Sequence, residues 1–429
     1  MKRKVTGART LEGEMRPPSD KSISHRAVIL NSVAEGNSRI SNFSQADDCS
    51  ATVNCLRALG AEIEQSDDGR LLVHGCGRKG LREPEDVLNA QNSATTMRLL
   101  AGLLAAQPFL SIITGDSSLR SRPMDRVIIP LRLMGARIWG RQDDSRAPLV
   151  IHGGKLHGIH YKLPVASAQI KSALLLAGLF SEGDTIITEP VHSRDHTERL
   201  LKEMGARINV SENSITLSPG SLKAVDLNTP GDISAAAFWL VAGAIHHQAR
   251  IRLLDTGINI TRSGIIDVLR MMGGDLTVSN EHVLSGEPVA DLEIRSSPLK
   301  GVEIGGELIP RIIDEIPLVA LAASVAQGKT VIRNAEELRV KEIDRISATV
   351  RELSKMGADV EEYPDGMIVR GGQRLHSASC TSHGDHRLAM MLGVAALIAD
   401  GETEIDKSEA ADISYPTFWE DLKRVSAEK

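Results

Sequence analysis

Hydrophobic positions along this chain fall into two alternating kinds of segment. In the first kind, a short polar opening leads into a run that is apolar on every side. Lys21-Ser22 through Arg26 opens on Ala27-Val28-Ile29-Leu30, Asn92-Ser93-Ala94 through Arg98 on LLAGLLAA, and Ser167-Ala168-Gln169 through Ser172 on ALLLAGLF. Gly231-Asp232-Ile233-Ser234 opens on AAAFWLVAGAI, Asp314-Glu315-Ile316-Pro317 on LVALAASVA, and Gly384-Asp385-His386-Arg387 on LAMMLGVAALIA. A helix that is apolar all round is a buried one. Six buried helices are expected, each with a polar N-terminus.

The second kind of segment interleaves with the first. Leu56 to Ala61, Leu131 to Ala136, Leu201 to Ala206, Leu269 to Gly274 and Leu353 to Ala358 each end an amphipathic pattern on a glycine, and a short strand-like stretch follows. The glycine is the expected C-terminal stop of a helix. No clear sixth copy exists, though Phe418-Trp419-Glu420-Asp421-Leu422 reads as a remnant. Two registers of repetition at one period predict six copies of an α/β unit.

At 429 residues the chain is too long for one compact core. Residues 15–226 would hold three units, and 227–429 the other three, joined by 1–14 as an entering strand. The boundary falls at the turn-rich Leu227-Asn228-Thr229-Pro230-Gly231.

The openings carry the candidate chemistry. A helix N-terminus offers unpaired N–H groups and a partial positive charge. Lys21 and Arg26 beside Ser22 do nothing for helix stability there, but they suit an anion. Arg120 and Arg122 before Pro123, and Arg194 between His192 and His196, sit in similar loops, where a capped helix start is the plainer explanation. The two histidines do not make a convincing metal pair. Glu337 to Arg345 mixes acids and bases as an ion-paired surface helix would, yet it occupies the position of the other anion-facing loops. His386-Arg387 at the mouth of an apolar helix is hard to explain by packing.

A net charge of −6 and an aromatic content of 3% argue against a general nucleic-acid binder. Any anion site must come from local focusing of cations. The four cysteines, Cys49, Cys55, Cys76 and Cys380, show neither zinc spacing nor a disulfide framework, so a reducing cytoplasm is expected. The longest apolar runs are too short to cross a bilayer. No exposed apolar stripe is evident, which makes a monomer the default.

Assembled, these motifs resemble the enolpyruvyl transferase family over essentially the full length. Within it they are similar to the shikimate 3-phosphate-using members of the second sequence class, in which glyphosate-tolerant forms are common. The resemblance rests on Asp20 to Arg26, Asn92 to Arg98, Arg122-Pro123-Met124, Ser167-Ala168-Gln169, Arg194 to Thr197, Asp314 to Pro317, Leu338 to Glu342 and Gly384 to Arg387. It implies a two-domain inside-out α/β barrel built from six βαβαββ repeats, with the buried helices' N-termini aimed at the cleft between domains. It also implies transfer of the carboxyvinyl group of phosphoenolpyruvate to the 5-hydroxyl of shikimate 3-phosphate, with no metal or organic cofactor.

By the same resemblance, Lys21, Ser22, Arg26, Ser167, Ala168, Gln169, Arg194, Asp314 and Lys341 would hold shikimate 3-phosphate. Lys21, Asn92, Ala94, Gln169, Arg122, Arg345 and Arg387 would hold phosphoenolpyruvate, with Arg98 shaping that pocket. Asp314, Glu342 and Lys21 would move protons. Two departures stand out: Ala94, where most members have glycine, and the lack of a lysine just before Pro416, the nearest being Lys407. The Ala94 methyl would crowd the phosphoenolpyruvate pocket and disfavour the longer glyphosate. A sister enzyme acting on UDP-N-acetylglucosamine is the alternative, but it usually has Lys-Asn in place of Lys21-Ser22 and a cysteine in the loop before Arg122.

Overall fold

The structure, a computed structural model, describes residues 1–426. Six helices begin at the six polar openings: α1 (Lys21–Ser32), α2 (Ala94–Ala105), α3 (Ala168–Gly178), α4 (Ile233–Ile245), α5 (Ile316–Val325) and α6 (His386–Ala396). All six are buried over most of their length, as an all-round apolar surface requires. Asp20, Ser93, Ser167, Asp232 and Asp385 cap five of them through side-chain oxygens. The amphipathic segments form the outer helices, and Gly60, Gly135, Gly205, Gly273 and Gly357 that end them all have φ between +82° and +98°. Left-handed backbone there is what glycine supplies without strain.

Each of the first five openings belongs to a four-stranded mixed sheet. In the second, Leu88–Asn89 runs parallel to Leu110–Thr114, which pairs antiparallel with Arg146–His152, and Arg137–Gly140 lies at the edge. The sixth sheet has three strands and no hairpin of its own. Ser379–Thr381 runs parallel to Glu402–Asp406, and the N-terminal strand Lys2–Thr6 closes it antiparallel, Lys2 facing Asp406. The helix Phe418–Ser426 takes the place of the missing sixth amphipathic copy.

The chain divides into two compact units, Ser19–Thr229 with Val283–Glu287, and the remainder. Each has its own hydrophobic core. The opening strands are not paired in chain order. Leu11–Met15, just before α1, pairs parallel with Ala249–Gly257, whereas Leu227–Asn228, just before α4, pairs with Glu35–Ser41. The segment read as a turn-rich link is therefore itself part of a sheet. Aromatic rings cluster in the second unit, where Phe238 and Trp239 of α4 meet Tyr415, Phe418 and Trp419.

Helices α2 and α3 come unusually close. A Cβ on Gly102 would lie 2.1 Å from the backbone oxygen of Ala173, so only glycine permits this approach. It brings the polar N-termini of α2 and α3 together.

Candidate active site

In the unit beginning at Ser19, three helix mouths carry the cations. On α1, Lys21 Nζ lies 2.7 Å from Asp48 Oδ2, both only partly exposed. Arg26 is buried and fixed by three bonds. Its Nε donates to Thr197 Oγ1 at 2.6 Å, and its terminal nitrogens donate to the Ser22 carbonyl and to Ser172 Oγ, each at 2.9 Å. Its guanidinium is thus locked to both α1 and α3 before any ligand arrives. His25, one residue earlier, faces inward: Nδ1 is 2.7 Å from Thr52 Oγ1, and burial pushes its pKa down to about 3.

That histidine sets a pH dependence. Folded, it stays neutral down to about pH 3, while the unfolded imidazole takes up a proton below about 6.5. Its contribution to stability is complete above pH 6.5 and is lost progressively as pH falls toward 3. Denaturant midpoints measured from pH 7 to 4 should fall less steeply in His25→Gln than in the parent chain, and equal slopes would refute this.

At the mouth of α2, Asn92 donates to Asp116 Oδ2 and accepts from Arg122, both at 2.7 Å. Arg122, 7% exposed, is thereby tied to the turn that leads into α2. Arg98 bonds the Gln169 side-chain oxygen and donates to the Pro123 carbonyl at 2.9 Å, and Gln169 Nε2 donates to Thr95 Oγ1 at 3.0 Å. Gln169 is thus braced by α2, a contact that the Gly102 approach makes possible. Ser167 caps α3 and Ala168 starts it, both half-buried, and Arg194 lies in the loop before the helix His196–Glu203.

The histidines of that loop part company. His192 is exposed, while the buried His196 places Nδ1 2.8 Å from Glu287 Oε1. Asp195 occupies the capping position without a capping bond and pairs instead with Arg199 at 2.9 Å.

In the other unit the mouths of α5 and α6 gather the opposite chemistry. Asp314 precedes α5 and sits among three cations: Lys341 Nζ at 3.6 Å, Arg345 at 3.3 Å and Arg387 at 3.5 Å. Arg345 also holds Glu342 at 2.6 Å and the α6 cap Asp385 at 2.8 Å. Burial works against the charge on Arg345, but Asp385, Glu342 and Asp314 outweigh it and lift the pKa above its ordinary value. Arg387 reaches Glu315 as well, at 3.3 Å. The segment Glu336–Val340 is a short 3-10 turn and the helix begins only at Arg345, so the mixed charges before it are not an exposed helix face. Lys407 is exposed and left-handed, and its carbonyl accepts from Ser382 at 2.9 Å beside the turn into α6.

The first unit therefore presents fixed cations, hydroxyls and helix N–H groups, a set suited to phosphate and carboxylate. The second presents three carboxylates tied to one buried arginine, and two of them, Asp314 and Glu342, are partly exposed and suited to moving protons. Several of the supporting groups carry little or no mark in the sequence. Asp48 is the acid that orients Lys21, and Lys171 is buried between Glu189 and Glu198. Arg262, also buried, ties Asp232 at 2.9 Å to Ser234 at 3.1 Å. A lone lysine inside an apolar helix was the legible signal for Lys171. No such signal marked Asp48 or Arg262.

This arrangement, six α/β units with polar mouths on buried helices, defines a class. The enolpyruvyl transferase NikO from Streptomyces tendae shares the fold at a TM-score of 0.77 and 19% identity, covering 99% of this chain and 97% of its own. A model described as EPSP synthase (3-phosphoshikimate 1-carboxyvinyltransferase) matches residues 5–422. The 3-phosphoshikimate 1-carboxyvinyltransferase of Herpetosiphon aurantiacus is 52% identical over 429 residues, 99% of each chain. The EPSP synthase of Acinetobacter baumannii superposes with a TM-score of 0.89 at 42% identity, over 99% of this chain and 98% of that one. The chain belongs to the EPSP synthase family.

Proposed function

We infer that this chain is a 3-phosphoshikimate 1-carboxyvinyltransferase of the shikimate pathway. It transfers the carboxyvinyl group of phosphoenolpyruvate to the 5-hydroxyl of shikimate 3-phosphate and releases phosphate. The supporting observation for its mechanism is a single buried side chain: Arg345 holds Asp314 Oδ1 at 3.3 Å and Glu342 Oε2 at 2.6 Å. Addition followed by elimination needs one group to take the hydroxyl proton and another to deliver a proton to the methylene carbon and later remove it. Asp314 takes the first role, shared with Lys21, and Glu342 the second.

Ser22, Arg26, Ser167, Ala168, Gln169, Arg194 and Lys341 bind shikimate 3-phosphate, with Ser167 and Arg194 on its phosphate. Lys21, Asn92, Arg122, Gln169, Arg345 and Arg387 bind phosphoenolpyruvate, where paired guanidinium N–H groups match carboxylate and phosphate. All belong to one chain, which makes a monomer sufficient. Its four cysteines are free thiols, in keeping with work in the cytoplasm.

Ala94 makes the enzyme glyphosate-tolerant. Its methyl sits at the start of α2, two residues from the Asn92 side chain that aims Arg122. An added methyl narrows the space for a ligand longer than phosphoenolpyruvate. Ala94→Gly should lower the glyphosate inhibition constant at least about tenfold, the effect of roughly 1.4 kcal/mol of relieved crowding, while the phosphoenolpyruvate KM changes little. Unchanged inhibition would remove Ala94 as the cause. Turnover itself is tested by phosphate release with shikimate 3-phosphate as acceptor.

A further inference from the structure

Beneath the Arg194 loop lies a buried ion triad that the proposed chemistry does not use. Lys171, one turn into α3 from the capping Ser167, is 1% exposed. Its Nζ lies 2.8 Å from Glu189 Oε2 and 2.6 Å from Glu198 Oε1. Glu189 directly follows the strand Thr185–Thr188 that enters the loop, and Glu198 lies in the first turn of the helix leaving it. Burial opposes the ammonium charge, yet Glu198 and Glu189 overcome it and raise the lysine's pKa. Burial also raises that of Glu198, against the pull of Lys171.

The triad does not merely neutralise itself. Every polar group of Ser193 ends on it. The Ser193 N–H donates to Glu189 Oε1 at 3.3 Å, the Ser193 hydroxyl donates to the same oxygen, and the Ser193 carbonyl accepts from Lys171 Nζ at 3.2 Å. Ser193 is the residue immediately before Arg194. One lysine thus ties the Arg194 loop to the same helix that presents Ser167, Ala168 and Gln169. A neutral clamp would avoid the cost of burying three charges, and a buried ion pair is by itself weak evidence of a stabilising role.

We propose that Lys171 and Glu189 are positioning residues that fix Arg194 against the mouth of α3 and so set the affinity for the phosphate of shikimate 3-phosphate. Glu198 balances the lysine's charge without touching Ser193. The proposal rests on the activity inferred above, and wild-type turnover in the same assay tests that activity separately.

Two isosteric variants of the full chain separate positioning from bulk stability. Glu189→Gln and Glu198→Gln each remove one buried negative charge from the triad. Positioning predicts that Glu189→Gln raises the KM for shikimate 3-phosphate at least tenfold, with kcat and the phosphoenolpyruvate KM within threefold. Glu198→Gln should stay within twofold on all three constants. Thermal unfolding of both variants checks that each is folded at the assay temperature. Equal KM changes in the two folded variants, or a Glu189→Gln defect confined to kcat, would overturn the proposal. Wild-type inactivity with shikimate 3-phosphate would instead overturn the activity on which it rests.

Discussion

Asp314→Asn is expected to lower kcat by about a thousandfold, within the 10²- to 10⁴-fold range of a lost general acid or base. Asparagine keeps the size of the side chain and one acceptor oxygen but cannot take up the hydroxyl proton. It also removes the one anion shared by Lys341, Arg345 and Arg387, each within 3.6 Å of the native carboxylate. Those cations persist, so the KM values should move far less than kcat. An equal loss in kcat and kcat/KM marks an interaction made only in the transition state. A variant retaining a tenth or more of wild-type kcat would exclude Asp314 from the proton-transfer role.

Arg345→Met should be the most destabilising single change near the site. It strips the common partner from Asp314, Glu342 and Asp385, the last of these fully buried. Breaking a buried ion pair from one side costs about 3–5 kcal/mol, because the remaining charge is left uncompensated. Asp385 also caps α6 through the Arg387 and Leu388 N–H groups, so the same loss loosens the residue that presents Arg387. Arg345→Lys should fall between the two, since one ammonium cannot span three carboxylates with the geometry of a guanidinium. Chemical denaturation measures this directly. A loss below about 1 kcal/mol for Arg345→Met, the scale of an exposed pair, would show that the carboxylates do not depend on it.

Six-fold repetition was legible because its two signals are local. An apolar run with polar residues only at its start must be a buried helix, and a glycine at the end of an amphipathic run marks where its neighbour stops. The mouths of α1 and α6 were legible for a related reason, since Lys21 and Arg387 sit where a cation opposes the helix dipole and has no packing role. Long-range pairing was not. An entering strand was expected within 1–14, but nothing in Lys2–Thr6 announces Glu402–Asp406 as its partner. Nor does Leu227–Asn228 look like a strand, for it is two residues long and borrows its partner from Glu35–Ser41. Supporting residues were hidden in another way. Asp48 sits at the start of a helix like any acidic residue favourable to the dipole, and only its distance of 2.7 Å from Lys21 gives it a task.

Phosphate release from phosphoenolpyruvate, with shikimate 3-phosphate and UDP-N-acetylglucosamine as separate acceptors, tests the reaction itself. The account predicts turnover with shikimate 3-phosphate alone, falling about a thousandfold in Asp314→Asn. Turnover with the sugar nucleotide, or with neither acceptor, would contradict it.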